Sequence, residues 1–136
     1  MSEPENLKMI QEGYAAFLRG DVPRVLDDLA DDVVWHSPYG AGSHVPASGE
    51  RHGKAAVADW FKVLAETSTF TTYDVRDYLA GGDKVVALGH IAFTAMNGAK
   101  YDSDFAHIFT IKNGKITRFL DFNDSAQMNA AFQAER

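Results

Sequence analysis

Apolar residues in the first half of the chain recur at the spacing of buried helix faces. Between residues 5 and 19 they stand three or four positions apart, and Gly20 follows as a helix stop. Asp21 is then placed to cap a second, short helix. The same spacing returns over residues 54–66. The pattern therefore predicts two helices near the N-terminus and a third in the middle of the chain.

Between the second and third helices the pattern changes to that of a strand followed by a long loop. Val33–Ser37 is an apolar run with the length of a strand. Residues 38–52 contain three glycines and two prolines and are predicted to be irregular. Because irregular connections of this length are uncommon unless functional, we expect this segment to form a lid or the rim of a pocket.

The second half of the chain alternates between runs of strand-forming residues and turn signals. Four strands are predicted: Phe70–Ala80, Lys84–Met96, Lys100–Lys112 and Lys115–Phe122. The dipeptides Asn97-Gly98 and Asn113-Gly114 are strong hairpin signals between such runs. A short C-terminal helix is expected to begin near Asp124 or Ser125. This order predicts an α+β fold, one domain over residues 1–136, in which the helices and one face of a curved antiparallel sheet enclose a pocket.

The first hairpin turn decides which side chains share a face with His90. A two-residue turn at Asn97-Gly98 would set His90 opposite Phe105. Leu88 would then lie opposite His107. The two histidines would be diagonal neighbours on one face of the sheet, about 7–8 Å apart.

The second hairpin turn decides where Asp121 points, and two turns are sterically available. A two-residue turn at Asn113-Gly114 would send Asp121 to the face opposite His107. A three-residue loop with Gly114 as a bulge would instead place His107 opposite Phe119 and keep both polar residues on one face. Asp121 would then lie opposite Phe105. We favour the bulge because it groups three aromatic side chains around the polar pair: Phe105, Phe109 and Phe119.

The composition is that of a globular protein with an acidic balance. The chain has 136 residues, 13 Lys and Arg against 19 Asp and Glu, a formal net charge of −6 and no Cys. The lack of Cys excludes disulfides, a thiol nucleophile and Cys-ligated metals. The acidic balance argues against nucleic-acid binding, which needs clustered basic residues. Without a basic, apolar leader or an apolar run near the ~20 residues that span a bilayer, we expect a soluble, cytoplasmic protein with no membrane contact.

Four segments of the chain resemble SnoaL-like proteins of the nuclear transport factor 2-like superfamily. They are Tyr14–Asp21, Leu29–His36, His52–Val57 and His107–Asp121. The resemblance implies a cone-shaped α+β barrel with a deep pocket, usually as a homodimer formed through the sheet. It implies no single function, because the superfamily contains cyclases, isomerases, hydrolases and proteins without catalysis.

Within the superfamily, the resemblance is best to the polyketide cyclases. These carry a His on the penultimate strand and an Asp fourteen positions later, and His107 and Asp121 match both. The ketosteroid isomerases match less well, since their base Asp falls at Ser37 and their oxyanion-binding acid falls at His107. Limonene-epoxide hydrolases share Asp121, but their Arg-x-Asp falls at His90 and Ala92. The resemblance therefore implies a cyclase-type pair in which the Asp is the acid–base group.

The pair suits proton transfer at carbon. Burial of Asp121 on an apolar face would disfavour its charged form and make the carboxylate a stronger base. A nearby imidazole can donate a hydrogen bond to an oxygen that becomes negative. We therefore expect Asp121 to move a proton next to a carbonyl while His107 stabilises the enolate oxygen, with no cofactor. A purely structural His–Asp pair, and a binding protein that kept the cavity without catalysis, stay as alternatives.

Further polar and aromatic residues are expected to line the same pocket. The predicted substrate-binding residues are Tyr14, Phe17, Trp35, Ser37, Tyr39, Trp60, His90, Phe105, Phe109 and Phe119. The set His90, His107 and Asp121 also resembles the ligands of a mononuclear iron site. Diagonal strand positions are not a metal signature by themselves, so no metal site is predicted.

The opposite face of the predicted sheet is also apolar. Four residues are expected to point away from the pocket: Ile108, Ile116, Leu120 and Phe122. Exposed apolar patches of this kind mark interaction surfaces. We therefore expect a homodimer through the sheet, and a small apolar ligand or substrate as the other partner.

Overall fold

Four helices lie where the helical patterns predict them in the computed structural model, which describes residues 2–133. They are α1 (Glu3–Leu18), α2 (Val22–Asp27), α3 (Lys54–Thr67) and α4 (Ser125–Gln133). Ser2 caps α1 by accepting from the backbone N–H of Glu5, whose carboxylate accepts in turn from the Ser2 backbone. Asp21 caps α2 in the same way, as its side chain accepts from the backbone N–H of Arg24.

Six strands form one curved, unclosed sheet. They are β1 (Leu29–Ser37), β2 (Gly49–His52), β3 (Ser68–Gly81), β4 (Lys84–Ala95), β5 (Lys100–Lys112) and β6 (Lys115–Phe122), in the order β2-β1-β6-β5-β4-β3. The helices and the inner face of this sheet make the expected α+β cone. Strand β2 was not predicted, because it lies inside the glycine- and proline-rich segment 38–52.

One pair of neighbouring strands departs from the expected antiparallel sheet. Strand β1 runs parallel to β6, with Trp35 beside Phe119 and His36 beside Leu120. The other neighbouring pairs are antiparallel. Turn chemistry fixes the direction of strands that are joined by a hairpin, whereas β1 and β6 come from distant parts of the chain. The sheet is therefore mixed.

The β4–β5 hairpin has a longer turn than the sequence suggested. The backbone N–H of Gly98 donates to the carbonyl of Ala95, and Gly98 takes the left-handed conformation at φ 88°. These features define a three-residue loop with a glycine bulge. Consequently His90 lies opposite Asp104, and the expected pairing with Phe105 is wrong by one residue. That shift turns His90 to the outer face of the sheet.

The β5–β6 hairpin combines a two-residue turn with a bulge inside a strand. Asn113 and Gly114 have φ values of 53° and 74°, as a tight two-residue turn requires. Farther along, the register shifts and leaves Thr117 as an extra residue in β6. His107 therefore lies directly opposite Asp121. The expected partners, Phe119 and Phe105, are wrong, but His107 and Asp121 do share the inner face.

The outer face of the sheet is partly apolar, but one residue predicted there is not on it. Ile108 and Leu120 are half-buried, and Phe122 is 45% exposed. Ile116 is 5% exposed and packs in the core. It precedes the extra residue Thr117, so the alternation of β6 is reversed there relative to the prediction. No helix within residues 2–133 is long and apolar enough to cross a bilayer.

Candidate functional site

His107 and Asp121 form a buried pair at the centre of the inner face. The two strands β5 and β6 place them directly opposite each other. The Nε2 of His107 lies 3.2 Å from Oδ1 of Asp121, and the residues are 4% and 7% exposed. Phe105 stacks on the imidazole, with 4.1 Å between ring centroids. The attraction between two such polar groups is stronger in an apolar setting than in water.

Tyr14 from α1 holds the other ring nitrogen of His107. Its hydroxyl oxygen is 2.5 Å from Nδ1. Burial raises the pKa of Tyr14 well above its ordinary value, so the hydroxyl keeps its proton and donates to Nδ1. The imidazole proton then sits on Nε2, the ring nitrogen that lies 3.2 Å from Oδ1 of Asp121. Tyr14 is thus hydrogen-bonded to His107, and His107 is in turn in close polar contact with Asp121.

A second group of polar residues holds Asp121 from its other side. Asn123 donates through its side-chain N–H groups to Oδ1 of Asp121 at 3.1 Å and to the hydroxyl of Tyr39 at 2.8 Å. The Tyr39 hydroxyl donates to Oδ2 of Asp121 over 3.4 Å. Burial, followed by the charge of Asp121, raises the pKa of Tyr39 well above its ordinary value. Oδ1 is therefore held firmly, while Oδ2 has one long hydrogen bond.

Tyr101 supports Asn123 from behind. Its hydroxyl donates to the side-chain oxygen of Asn123 at 2.6 Å, which fixes the orientation of the amide. Burial raises the pKa of Tyr101 to about 12, so the phenol stays a donor at neutral pH. Neither Asn123 nor Tyr101 was predicted as a site residue. The position of Asn123 two residues after Asp121 was an available signal, whereas the role of Tyr101 depends on tertiary contact.

Two small cavities lie on either side of His107. The helix-side cavity, about 50 Å³, opens between α1 and α2 and contacts Met9, Gly13, Tyr14, Val25 and His107. The loop-side cavity, about 40 Å³, lies under the segment 38–48 and α4 and contacts Tyr39, Val45, His107, Asp121 and Met128. Trp60, Tyr73 and His107 line both, so they form the wall between them. The contacts that link Tyr14 through His107 to Asp121 run through this wall.

Most of the predicted pocket residues lie at these cavities. Phe17, Trp35, Trp60, Phe109 and Phe119 line the helix-side cavity together with Tyr14. Tyr39 lines the loop-side cavity. Phe105 contacts the His107 ring but lines neither. Ser37 is 1% exposed on the inner face and also lines neither.

His90 does not belong to this site, contrary to the prediction. On the outer face its Nδ1 lies 2.8 Å from Oδ1 of Asp104, and its Nε2 contacts Asp102. The hydrogen bond to Asp104 is the largest cause that raises the pKa of His90, and the contact with Asp102 raises this pKa further. With His90 on the other side of the sheet, the set His90, His107 and Asp121 cannot bind one metal ion. Within residues 2–133 no cluster of His, Asp or Glu is arranged to hold one.

The chain is similar to several known proteins over nearly its whole length. It is 26% identical over 134 residues to uncharacterized protein Rv0034 of Mycobacterium tuberculosis H37Rv, which covers 98% of this chain and 100% of that one. An NTF2-like protein of unknown function from Burkholderia pseudomallei K96243 superposes with a TM-score of 0.83 at 30% identity, over 98% of this chain and 100% of the other. TerC, crystallised with polyporic acid, superposes with a TM-score of 0.80 at 26% identity, over 96% and 99%.

The fold and these similarities agree with a direct match to one family. Residues 10–119 match the SnoaL-like domain, and this stretch covers most of the chain, including both His107 and the inner face of β6 up to Phe119. The chain therefore belongs to the SnoaL-like domain family.

Proposed function

We propose that this protein is an enzyme that performs cofactor-free acid–base chemistry on a small apolar carbonyl compound, of the aldol-cyclisation or isomerisation type. The observation that carries the proposal is the buried His107–Asp121 pair, which contacts a cavity and is supported on both sides by hydrogen-bonding phenols. A carboxylate and an imidazole in a water-poor, apolar setting are suited to moving protons at carbon.

The arrangement assigns a role to each oxygen of Asp121. Oδ1 is occupied by His107 and Asn123, so Oδ2 is the base. It removes a proton from the carbon next to the carbonyl, the C–H electron pair becomes the second bond between the two carbons, and the C=O π pair moves onto the carbonyl oxygen. The enolate carbon then attacks a second carbonyl, or takes the proton back at another position. In either case the proton held by Asp121 returns to the product.

His107 stabilises the enolate oxygen in this scheme. While Asp121 is charged, it attracts the protonated Nε2 of His107, which lies 3.2 Å from Oδ1. Once Asp121 has taken a proton, that attraction weakens, and the N–H, with its ring unmoved, donates instead to a negative enolate oxygen that lies beside Oδ1. Tyr14 keeps its hydrogen bond to Nδ1 throughout and so fixes the ring. Preorganised donors of this kind commonly contribute several kcal/mol to catalysis.

The lining of the cavities supports an apolar substrate. Around His107 the helix-side cavity is walled by aromatic and aliphatic side chains. TerC, which shares the fold at 26% identity, was crystallised with polyporic acid, and this favours a small organic ligand for the present chain as well.

The size of the cavities favours a second candidate function, a binding protein of the same fold without catalysis. At about 50 and 40 Å³ they are far smaller than the roughly 300–1,000 Å³ of typical ligand pockets. A ligand must therefore push side chains apart, which a binding protein tolerates more easily than an enzyme with aligned reacting groups. Epoxide hydrolysis has less support, because His90 and Ala92 stand where its Arg-x-Asp would be.

The test uses 2-tetralone, a bicyclic ketone whose C1 hydrogens are acidic. Deuterium incorporation at C1 is followed by proton NMR in heavy water, with and without protein. We expect the protein to accelerate exchange and Asp121→Asn to reduce the acceleration by about 10²-fold or more. Asp83→Asn, which alters an exposed carboxylate in the β3–β4 turn, serves as the matched control and should leave it unchanged.

Three outcomes separate the candidates. Loss of exchange in Asp121→Asn alone supports the enzyme. Exchange in Asp121→Asn within a few-fold of the unaltered protein would show that Asp121 is not the base. Binding of 2-tetralone without accelerated exchange would favour the binding protein.

We also propose a homodimer formed through the outer face of the sheet. The supporting observation is the apolar surface of Ile108, Leu120 and Phe122, of which Phe122 is 45% exposed. A single domain over residues 1–136 and a cytoplasmic location complete the proposal.

A further inference from the structure

Tyr73 stands in the wall between the two cavities. It comes from β3 and lines both the helix-side and the loop-side cavity. Its ring centroid lies 6.4 Å from that of Tyr14 and 5.8 Å from that of Phe105. Tyr73 is therefore next to the Tyr14–His107 hydrogen bond, although it is not part of it.

The hydroxyl of Tyr73 has no hydrogen-bond partner among residues 2–133. Burial, followed by the charge of Asp121, raises the pKa of Tyr73, so the hydroxyl keeps its proton. The residue as a whole is half-buried and borders both cavities. Tyr73 thus offers an unused hydrogen-bond donor at the boundary of both cavities.

Two more polar groups on the inner face lack a partner within the described part of the chain. They are the indole N–H of Trp35 and the hydroxyl of Ser37, and both side chains are buried. Each such group costs about 1–3 kcal/mol when nothing bonds to it. Trp35 lines the helix-side cavity, so its indole N–H is a second unbonded donor for a ligand that brings an acceptor oxygen.

The backbone around Tyr73 allows the wall to move. Strand β3 is the last strand of the sheet, so it has a neighbour on only one side. Its pairing with β4 is irregular on both sides of Tyr73, between Phe70 and Thr72 and again between Val75 and Asp77. Bulges loosen local pairing. A shift of Tyr73 would join the two cavities without breaking the β4–β5–β6 core of the site.

We propose that Tyr73 is a substrate-binding residue whose hydroxyl donates to the carbonyl oxygen of an apolar cyclic ketone, with the hydrocarbon part spread over both cavities. The inference rests on the proposed function and names the substrate class for the same site. Tyr73 adds a second donor to the oxygen that becomes the enolate, beside the Nε2–H of His107. The selection for a ketone comes from a polar contact, whereas the aromatic walls select only for apolar shape.

The experiment compares two probes of one shape, 2-tetralone and tetralin, which differ in the carbonyl oxygen. Binding of each is titrated by NMR with the unaltered protein, with Tyr73→Phe and with Tyr78→Phe. Tyr78 is a matched control, because it lies on the same strand and its ring centroid is 6.2 Å from that of Tyr14. Its hydroxyl has no partner in the described part of the chain, and it lines neither cavity. Tyr73→Phe is expected to weaken 2-tetralone binding about fivefold to tenfold and to leave tetralin binding unchanged. Tyr78→Phe should change neither.

Each other result overturns the proposal. Equal weakening of both probes would mean that Tyr73 acts by packing alone. Unchanged binding of 2-tetralone to Tyr73→Phe, or no binding to the unaltered protein, would reject the site or its ligand class. Thermal unfolding of each variant confirms that it is folded. If selective weakening is seen while exchange stays insensitive to Asp121→Asn, the Tyr73 site stands and the proposed catalysis fails.

Discussion

At the scale of single residues, the imidazole of His107 is held from both ring nitrogens. Tyr14 donates to Nδ1, and Nε2 lies 3.2 Å from Oδ1 of Asp121. Both protein partners are buried, so the ring orientation and the position of its proton are fixed together. A group held in this way has little rotational freedom to lose when a ligand arrives, which is how a preorganised site lowers a barrier.

Removal of the Tyr14 hydroxyl should destabilise the fold measurably. Tyr14→Phe leaves Nδ1 of His107 buried without a donor, so the free energy of unfolding is expected to fall by about 1–3 kcal/mol. Urea denaturation measures it. Tyr78→Phe, whose hydroxyl has no partner within residues 2–133, should change the value by less than about 0.5 kcal/mol. Equal losses in the two variants would show that the Tyr14 hydrogen bond contributes nothing to stability.

His90 should make stability depend on pH from the outer face. Its contacts with Asp104 and Asp102 raise its pKa above the ordinary 6.5. A raised pKa contributes stability that is fully present below about pH 6.5 and is lost as pH rises through the higher folded-state value. Urea midpoints of the unaltered protein and of His90→Gln should therefore differ most below that pH and converge in alkaline solution. A gap that widens with pH would contradict this assignment.

At the scale of elements, the two hairpins of β4, β5 and β6 decide what reaches the interior. In the β4–β5 hairpin, the three-residue loop places His90 on the outer face. In the β5–β6 hairpin, the extra residue Thr117 places Asp121 on the inner face. Side chains alternate with a period of two, so one residue more or less in a strand reverses its face. The site therefore depends on the two glycine turns and on one bulge.

A single methyl group added at Gly89, within strand β4, should lower the stability of the fold. A Cβ there would lie 2.1 Å from the carbonyl oxygen of Asp74 and 2.6 Å from the Phe105 ring. Gly89→Ala is expected to lower the free energy of unfolding by about 1–3 kcal/mol, because Phe105 and β3 must shift. Gly81→Ala, on the same sheet with open space around it, is the control. Equal stability of the two variants would mean that the sheet absorbs the clash.

At the scale of the whole molecule, the sheet has two faces with different tasks. The inner face carries Tyr14, His107 and Asp121 in contact, together with both cavities. The outer face carries an apolar surface beside the charged cluster of His90, Asp102 and Asp104. An exposed apolar surface on one side of a sheet is stabilised when another molecule covers it. A second copy of the chain, placed by a two-fold axis, is the simplest cover.

A charge on the outer face should therefore dissociate the proposed dimer. Leu120→Lys puts a cation in the middle of this surface, and light scattering should then give the monomer mass. Leu18→Lys, at a 55% exposed position at the end of α1, is the control and should stay dimeric. A monomeric mass for the unaltered protein would refute the dimer.

Much of the fold and part of the site could be predicted from local pattern. The helical spacing, the capping residues and the Asn-Gly turns located four helices and five of the six strands, because each depends on neighbours within a few residues. The pair His107 and Asp121 followed from the same strands together with the family resemblance. Strand β2 could not be predicted, because its polar, glycine-flanked segment is held extended by pairing with β1, a contact that local pattern does not reveal.

What the sequence determined by itself was therefore the set of elements and the residues capable of acid–base chemistry. Only the tertiary structure decided that β1 joins β6 in parallel, that His90 faces outward, and that Tyr14, Asn123 and Tyr73 meet around the pair. The physical reason is that local propensity acts over one turn of chain. The register of two strands, and the face on which each side chain lies, instead depend on one-residue bulges. Pairings with and without a bulge differ little in energy until the core packs against the strand.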